Sequence, residues 1–156
     1  MTNTEALELK NMGNLEYKRG NYESALEYYT KAIGIDGNVS IYYSNKAMCY
    51  MRLGRIKEAM NDAQSAIELD NNNIKAHLLM GICICEEVKS NLNLKRLDTA
   101  VKRMKKAFSL CSSQNKRALE ESIQNSIYRA EKLRFYILKD DYEKEAKLKY
   151  KVFVVG

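Results

Sequence analysis

Proline is absent from this 156-residue chain, histidine occurs once, and no long alternating Val/Ile/Thr-rich segment is present. Each absence excludes something. Without proline, and rich in Ala, Leu, Glu and Lys, the sequence carries helix formers with few breakers. The one run of β-formers, Val152-Phe153-Val154-Val155, is too short and too terminal to define a fold. The fold class is therefore all-α. No apolar run reaches the roughly 20 residues of a membrane span, so no membrane partner is expected. The N-terminus, Met1-Thr2-Asn3-Thr4-Glu5, lacks the basic and then apolar regions of a signal peptide. With four cysteines and no export signal, reduced thiols and a cytoplasmic location are expected.

Catalytic motifs are missing as well. There is no phosphate-cradling Gly-rich loop, nucleophile elbow or His–Glu metal pair. The single histidine, His77, has neither a nucleophile nor an acid pair beside it and reads as a buried structural residue. Cys83 and Cys85 would lie about 200° apart on a helix, so they cannot share a metal. Cys49 and Cys111 have no ligand-spaced partners, and core thiols are the better reading. No catalytic residue, metal or cofactor is expected.

What is present is a folded composition, 46% hydrophobic and 29% charged, with a net charge of +6 that favours an anionic partner. The basic cluster Lys102-Arg103-Lys105-Lys106 spans more than one helical face and has no interleaved aromatics for base stacking. It reads as solvated surface, and no nucleic-acid partner is expected.

Self-comparison is more informative. Gly13, Ala47 and Gly81 stand 34 residues apart, and the same step relates Gly20 to Gly54, Ala25 to Ala59, Ala32 to Ala66, Ile35 to Leu69 and Asp36 to Asp70. Small residues at fixed offsets are needed where antiparallel helices approach closely. This period resembles that of the tetratricopeptide-repeat family, whose unit is a helix–turn–helix. The resemblance implies three repeats forming a right-handed superhelix, at about residues 6–39, 40–73 and 74–114, together making a domain over 1–114. Where family members carry a proline near each repeat's end, Gly37 and Asn71 stand here as helix stops.

The third repeat is stretched. Gly81 to Ala100 spans 19 residues, where Gly13 to Ala25 spans 12. The seven additional residues fall in Val88–Arg96, a polar segment without an apolar stripe, read as an inserted loop or an extra helical turn. Register resumes at Leu97, Ala100, Met104, Ala107 and Leu110. From about 115 to 150 the chain reads as one long capping helix, with Lys139-Asp140-Asp141 as the place where a break would fall. Its stripe is Leu119, Ile123, Ile127, Ala130, Leu133 and Ile137. A repeat array exposes an apolar face at its last unit, which such a helix covers. Residues 151–156 are left as a tail.

In this family the first helix of each repeat lines the concave surface. The resemblance then points Lys10, Asn14 and Tyr17, Ile41, Asn45 and Met48, and Lys75, Leu79 and Ile82 into one groove. Two lysines and two asparagines, interleaved with apolar residues and without an acid, suit a peptide ending in aspartate, which presents two carboxylates. The pattern resembles the two-carboxylate clamp of co-chaperone repeat domains, which bind the Glu-Glu-Val-Asp tail of heat-shock chaperones of the Hsp-seventy and Hsp-ninety classes. By that likeness Lys10, Asn14, Asn45 and Lys75 would hold the last Asp.

Many clamps carry an arginine where Leu79 stands. A large apolar residue there, with the segments Ala6–Asn14, Val39–Tyr50, Ile74–His77 and Ala107–Leu110, resembles the CHIP family of U-box ubiquitin ligases. The likeness implies the chaperone-binding part of such a ligase, with no enzyme activity in this chain. A ubiquitin-conjugating enzyme would bind only through a U-box, which the sequence to Gly156 does not contain. The Val88–Arg96 insertion is not part of that pattern. The alternative is a repeat scaffold that binds an internal peptide or helix of another partner.

Overall fold

The 34-residue period resolves into helix pairs. The structure, a computed structural model, describes the backbone of residues 3–155 and side chains through Lys149 and at Lys151. The helices are α1 (Asn3–Arg19), α2 (Tyr22–Ile35), α3 (Ser40–Arg52), α4 (Ile56–Leu69), α5 (Ile74–Asn91), α6 (Leu94–Ser113) and α7 (Arg117–Val155), and no strand occurs among the described residues. Each helix packs on its sequence neighbours. In addition α1 touches α3, α3 touches α5, and α5 touches α7, while α2, α4 and α6 make no such contacts with one another. The odd-numbered helices therefore form a close inner layer and the even-numbered ones splay outside it, which curves the array.

The inner turns show why the small residues recur. A methyl group on Gly13 would sit 2.6 Å from Cε1 of Tyr29, and one on Gly81 would sit 2.6 Å from Cγ of Met104. The middle repeat carries Ala47 at this position, fully buried, and there the facing residue is the small Ala63 instead of a tyrosine or methionine. Bulk is traded across the helix pair, so the interior volume is conserved.

Turns within the repeats need a left-handed residue. Gly20 (φ +83°) and Gly54 (φ +73°) supply it in the first two, and Leu92 (φ +53°) does so in the third. At the repeat ends, where Gly37 and Asn71 are expected as helix stops, neither is left-handed. Helices α2 and α4 stop at extended Asp36 and Asp70, whose carboxylates accept the backbone N–H of Asn38 (3.1 Å) and Asn72 (2.9 Å). The aspartate, one residue earlier, is the stop.

The stretch at Val88–Arg96 is helix, not loop. Counted as two 34-residue steps from α1, helix α5 runs four residues beyond its expected end, and α6 starts three residues before Leu97, where the register of α2 resumes. Each antiparallel partner has gained about one turn. Register is thereby kept, and Val88 and Leu97 are both fully buried at the ends of the extension. Asn93 caps α6 by accepting the N–H of Arg96 at 3.1 Å.

Helix α7 is continuous through Lys139-Asp140-Asp141, and residues 151–155 extend it. Gly156 lies outside the described residues. Ile123, Ala130 and Ile137 are buried against α5 and α6, with Leu119, Ile127 and Leu133 half-buried beside them. From Leu138 to Lys149 every side chain is exposed.

Candidate ligand-binding groove

Local capping places the first key cation. Asn73 precedes α5 and accepts the N–H of Ala76 at 3.0 Å, while its amide donates to Ser40 Oγ at 2.8 Å. Ser40 in turn donates to the carbonyl of Ala66 at 2.7 Å. This buried network fixes the start of α5 against α3 and α4, so Lys75 falls in the first turn of α5 on the inner layer. From there its ammonium donates to Asn45 Oδ1 at 2.9 Å.

Further bonds continue the line. Asn45 Nδ2 donates to Asn14 Oδ1 at 3.2 Å, and the same oxygen accepts the hydroxyl of Tyr29 at 2.6 Å. Asn14 therefore has its carbonyl oxygen engaged twice, which leaves its NH2 group to point elsewhere. Lys75, Asn45 and Asn14 come from three different inner helices, and they are joined across the hollow of the array by hydrogen bonds alone.

These residues line a cavity of about 300 Å³ together with Lys10, Lys18, Tyr17, Ile41 and Met48. Three lysines and no carboxylate face it. Lys10 is half-buried and makes no hydrogen bond or ion pair among the described residues. Burial holds the Lys75 ammonium below the usual lysine range. Its three N–H donors include one spent on Asn45, so a bound anion has two to meet. Tyr17 is held by Arg52, whose Nε donates to its hydroxyl at 3.0 Å. Ile41 is 53% exposed and supplies apolar wall.

Of the residues named from the sequence, Leu79 does not belong here. It is 3% exposed and lies in the main core cluster with Ala47, Ala76 and Ala130. Helix α7 packs on α5, and the depth at which Leu79 sits is closed over. Ile82 lies further along, in a hollow of about 190 Å³ between α5, α6 and α7 that also includes Arg129 and Leu133.

Two groove residues were missed. Lys18 continues the Lys10–Asn14 stripe at the next i+4 step, so its spacing carried the signal. Tyr29 stands on an outer helix, and its hydroxyl reaches the groove because Gly13 leaves room for the ring to pass; that is a three-dimensional fact with no mark in the stripe.

Cys49, Cys83 and Cys111 are buried core thiols, and Cys85 is half-buried beside the hollow that holds Ile82. Burial pushes Cys49 up to about 12, and Cys83 and Cys85 up to about 11. All four are free, and the described residues hold no cluster suited to a metal. Among the described residues no helix is long and apolar enough to cross a membrane.

Fold and groove define a class: a solenoid of helical hairpins with a cationic, hydrogen-bonding hollow. The family model of the tetratricopeptide repeat matches residues 4–72. The second such domain of Spaghetti (RPAP3), solved bound to the HSP90 peptide SRMEEVD, is 30% identical and superposes with a TM-score of 0.60 over 69% of this chain and 94% of that one. The second domain of human RPAP3, solved with the HSP70 peptide SGPTIEEVD, is 26% identical with a TM-score of 0.66 over 82% of this chain and 96% of that one. The chain belongs to the tetratricopeptide-repeat family.

Among curated relatives, DnaJ homolog subfamily C member 7 of Homo sapiens is 33% identical over 140 residues, covering 90% of this chain and 26% of that protein. The E3 ubiquitin-protein ligase CHIP of Arabidopsis thaliana is 31% identical over 93 residues, covering 60% of this chain and 34% of that protein. The chain thus spans from about a twelfth to a third of the length of curated relatives it matches.

Proposed function

We propose that the groove captures the C-terminal Glu-Glu-Val-Asp tail of heat-shock chaperones, making the chain a non-catalytic co-chaperone adaptor in the cytoplasm. The observation that carries this reading is the composition of the hollow: Lys10, Lys18 and Lys75 beside Asn14 and Asn45, with no acid among its lining residues. A terminal aspartate brings two carboxylates a few ångströms apart. Lys75 and Lys10 meet them with charge-assisted bonds, and the free amide group of Asn14 adds a donor without adding repulsion. Ile41 and Met48 shelter the peptide's aliphatic side chains and exclude water. The likeness to two domains solved with peptides ending in Glu-Glu-Val-Asp supports the same ligand here.

Lys10→Ala and Lys75→Ala test the reading. Each is expected to weaken binding of a Glu-Glu-Val-Asp peptide by about 2–5 kcal/mol, the usual cost of truncating one partner of a buried charge pair. Helical content should not change. If Lys10→Ala binds as tightly as the parent, the assignment fails.

A narrower role, as the chaperone-recruiting part of a U-box ubiquitin ligase, is supported by the likeness to the Arabidopsis ligase. The likeness to the human DnaJ homolog covers more of the chain at similar identity, so it is the adaptor role that carries the proposal. Transfer of ubiquitin to a bound chaperone by the whole protein, and its loss on Lys75→Ala, would support the ligase role. No transfer under conditions where the chaperone is bound would remove it.

A further inference from the structure

A second cationic hollow lies on the other side of α5. Lys75 and His77 are two positions apart, hence about 200° apart around the helix. Lys75 enters the peptide groove, and His77 turns away toward α6 and the α4–α5 turn. There a cavity of about 440 Å³ is lined by Asn71, His77, Thr99, Lys102, Arg103 and Lys106. Thr99, Lys102, Arg103 and Lys106 follow the i, i+3, i+4, i+7 pattern and so form one face of α6. The fourth member of the basic cluster, Lys105, faces elsewhere and lies 3.9 Å from Glu131. The cluster spans more than one helical face, as its spacing implied, and three of its cations line this one hollow.

Two features distinguish this hollow, in which Lys102 and Lys106 are exposed and Arg103 is half-buried. First, its lining has no carboxylate, and Lys102, Arg103 and Lys106 make no ion pair among the described residues. Second, His77 is 1% exposed and only half satisfied. Its Nε2 lies 2.8 Å from the carbonyl oxygen of Asn71, which can only accept, so Nε2 carries the proton. Its Nδ1, an acceptor in this tautomer, is buried with no partner, so it can donate to a bound anion only once the ring takes up a second proton there. Burial is the main cause that pushes this ring's pKa down; the bond to Asn71 opposes it, Arg103 and Lys106 add to it, and Asp70 opposes it.

We propose that this cavity is a phosphate site, in which Lys102, Arg103 and Lys106 neutralise the dianion of a phosphomonoester beside His77. A single carboxylate would leave most of the positive charge uncompensated, whereas a phosphate offers three acceptor oxygens and close to two charges. Arginine's planar fork matches two of those oxygens. No aromatic ring other than the buried His77 lines the cavity, so stacking of nucleobases is not favoured. The site is independent of the peptide groove and stands or falls apart from it.

The chain's only histidine makes the test clean, since its ring resonances are unique. The probes are inorganic phosphate, a phosphoserine peptide and its unphosphorylated parent, with sodium chloride at matched ionic strength as the control. A saturable shift of the His77 ring signals with phosphate and with the phosphopeptide is expected, together with a rise in the ring's pKa. The unphosphorylated peptide and chloride should not produce it. Phosphopeptide binding at least tenfold tighter than phosphate assigns the source to a modified protein; equal binding assigns it to free phosphate, and either supports the site.

Lys102→Gln with Arg103→Gln should weaken both at least tenfold while leaving the thermal transition and binding of a Glu-Glu-Val-Asp peptide unchanged. A His77 response as large in chloride as in phosphate, or undiminished in the double variant, overturns the proposal. So does an oligonucleotide that binds more tightly than the phosphopeptide, which would move the site to nucleic acid.

Discussion

Lys75 owes its position to a cap two residues earlier and its reactivity toward anions to burial. Its ammonium is held below the usual lysine value of 10.5 by desolvation. In the window between that lowered value and 10.5, the unfolded chain holds more protons than the folded one, so stability rises with pH there. Binding runs the opposite way, because only the protonated amine grips a carboxylate. Peptide affinity should therefore fall on the alkaline side at a pH below that of an ordinary lysine; titration calorimetry across pH 7–10.5 checks this, and Lys75→Arg should move the fall to higher pH.

Tyr29 acts on the same network from behind. Its hydroxyl orients Asn14 through a 2.6 Å bond. Tyr29→Phe keeps the ring that fills the space beside Gly13 but releases the amide, and should weaken peptide binding by about 1 kcal/mol with a smaller effect on folding. Leu79 gives the contrast. As a core residue, Leu79→Ala should cost about 2–5 kcal/mol of stability, measured by denaturant melts, with peptide affinity unchanged in the remaining folded protein.

At the scale of helices, the interesting positions are those where the repeats differ. Leu92 takes a left-handed conformation that Gly20 and Gly54 adopt without strain. Its side chain is 44% exposed, so little packing would be lost on removing it. Leu92→Gly should stabilise the fold by about 0.5–1 kcal/mol, the relief of left-handed strain less the added freedom of the unfolded chain. Gly81 behaves in the reverse sense. A methyl there meets Met104 Cγ at 2.6 Å and the backbone oxygen of Ala100 at 3.0 Å. Gly81→Ala should destabilise by about 1–3 kcal/mol despite its better helix propensity, and thermal melts measure both changes.

These helical details separate what could be read from residues alone from what could not. The repeat period was legible because close packing demands small residues at fixed intervals, and Gly13, Ala47 and Gly81 met that demand. The way the stretched repeat absorbs seven residues was not, since Lys89-Ser90-Asn91 bury nothing and leave no stripe; only antiparallel pairing lets each helix lengthen by one turn. Lys10, Asn14, Asn45 and Lys75 could be placed in one hollow from the family's register. Leu79 was misplaced because it is buried in a core that α3, α4, α6 and α7 build together, a meeting of segments far apart in sequence. The convergence of Lys102, Arg103 and Lys106 on His77 was hidden for the same reason.

At the level of the whole molecule, the chain carries a net charge of +6 and has two cationic hollows on opposite sides of α5. The long α7 covers the last repeat, and its outer part stands clear of the array. Binding of an acidic peptide should therefore weaken with added salt, chiefly through slower association, because steering by net charge is screened within about 8 Å at physiological ionic strength.

The central claim is that the groove recognises a chain end, with its two carboxylates, and not merely an acidic segment. Calorimetry with a Glu-Glu-Val-Asp peptide as free acid and as C-terminal amide tests it directly. Loss of at least tenfold in affinity on amidation is the predicted result, since it deprives the lysines of one of the charges they meet. Equal affinity for the two peptides would contradict the account.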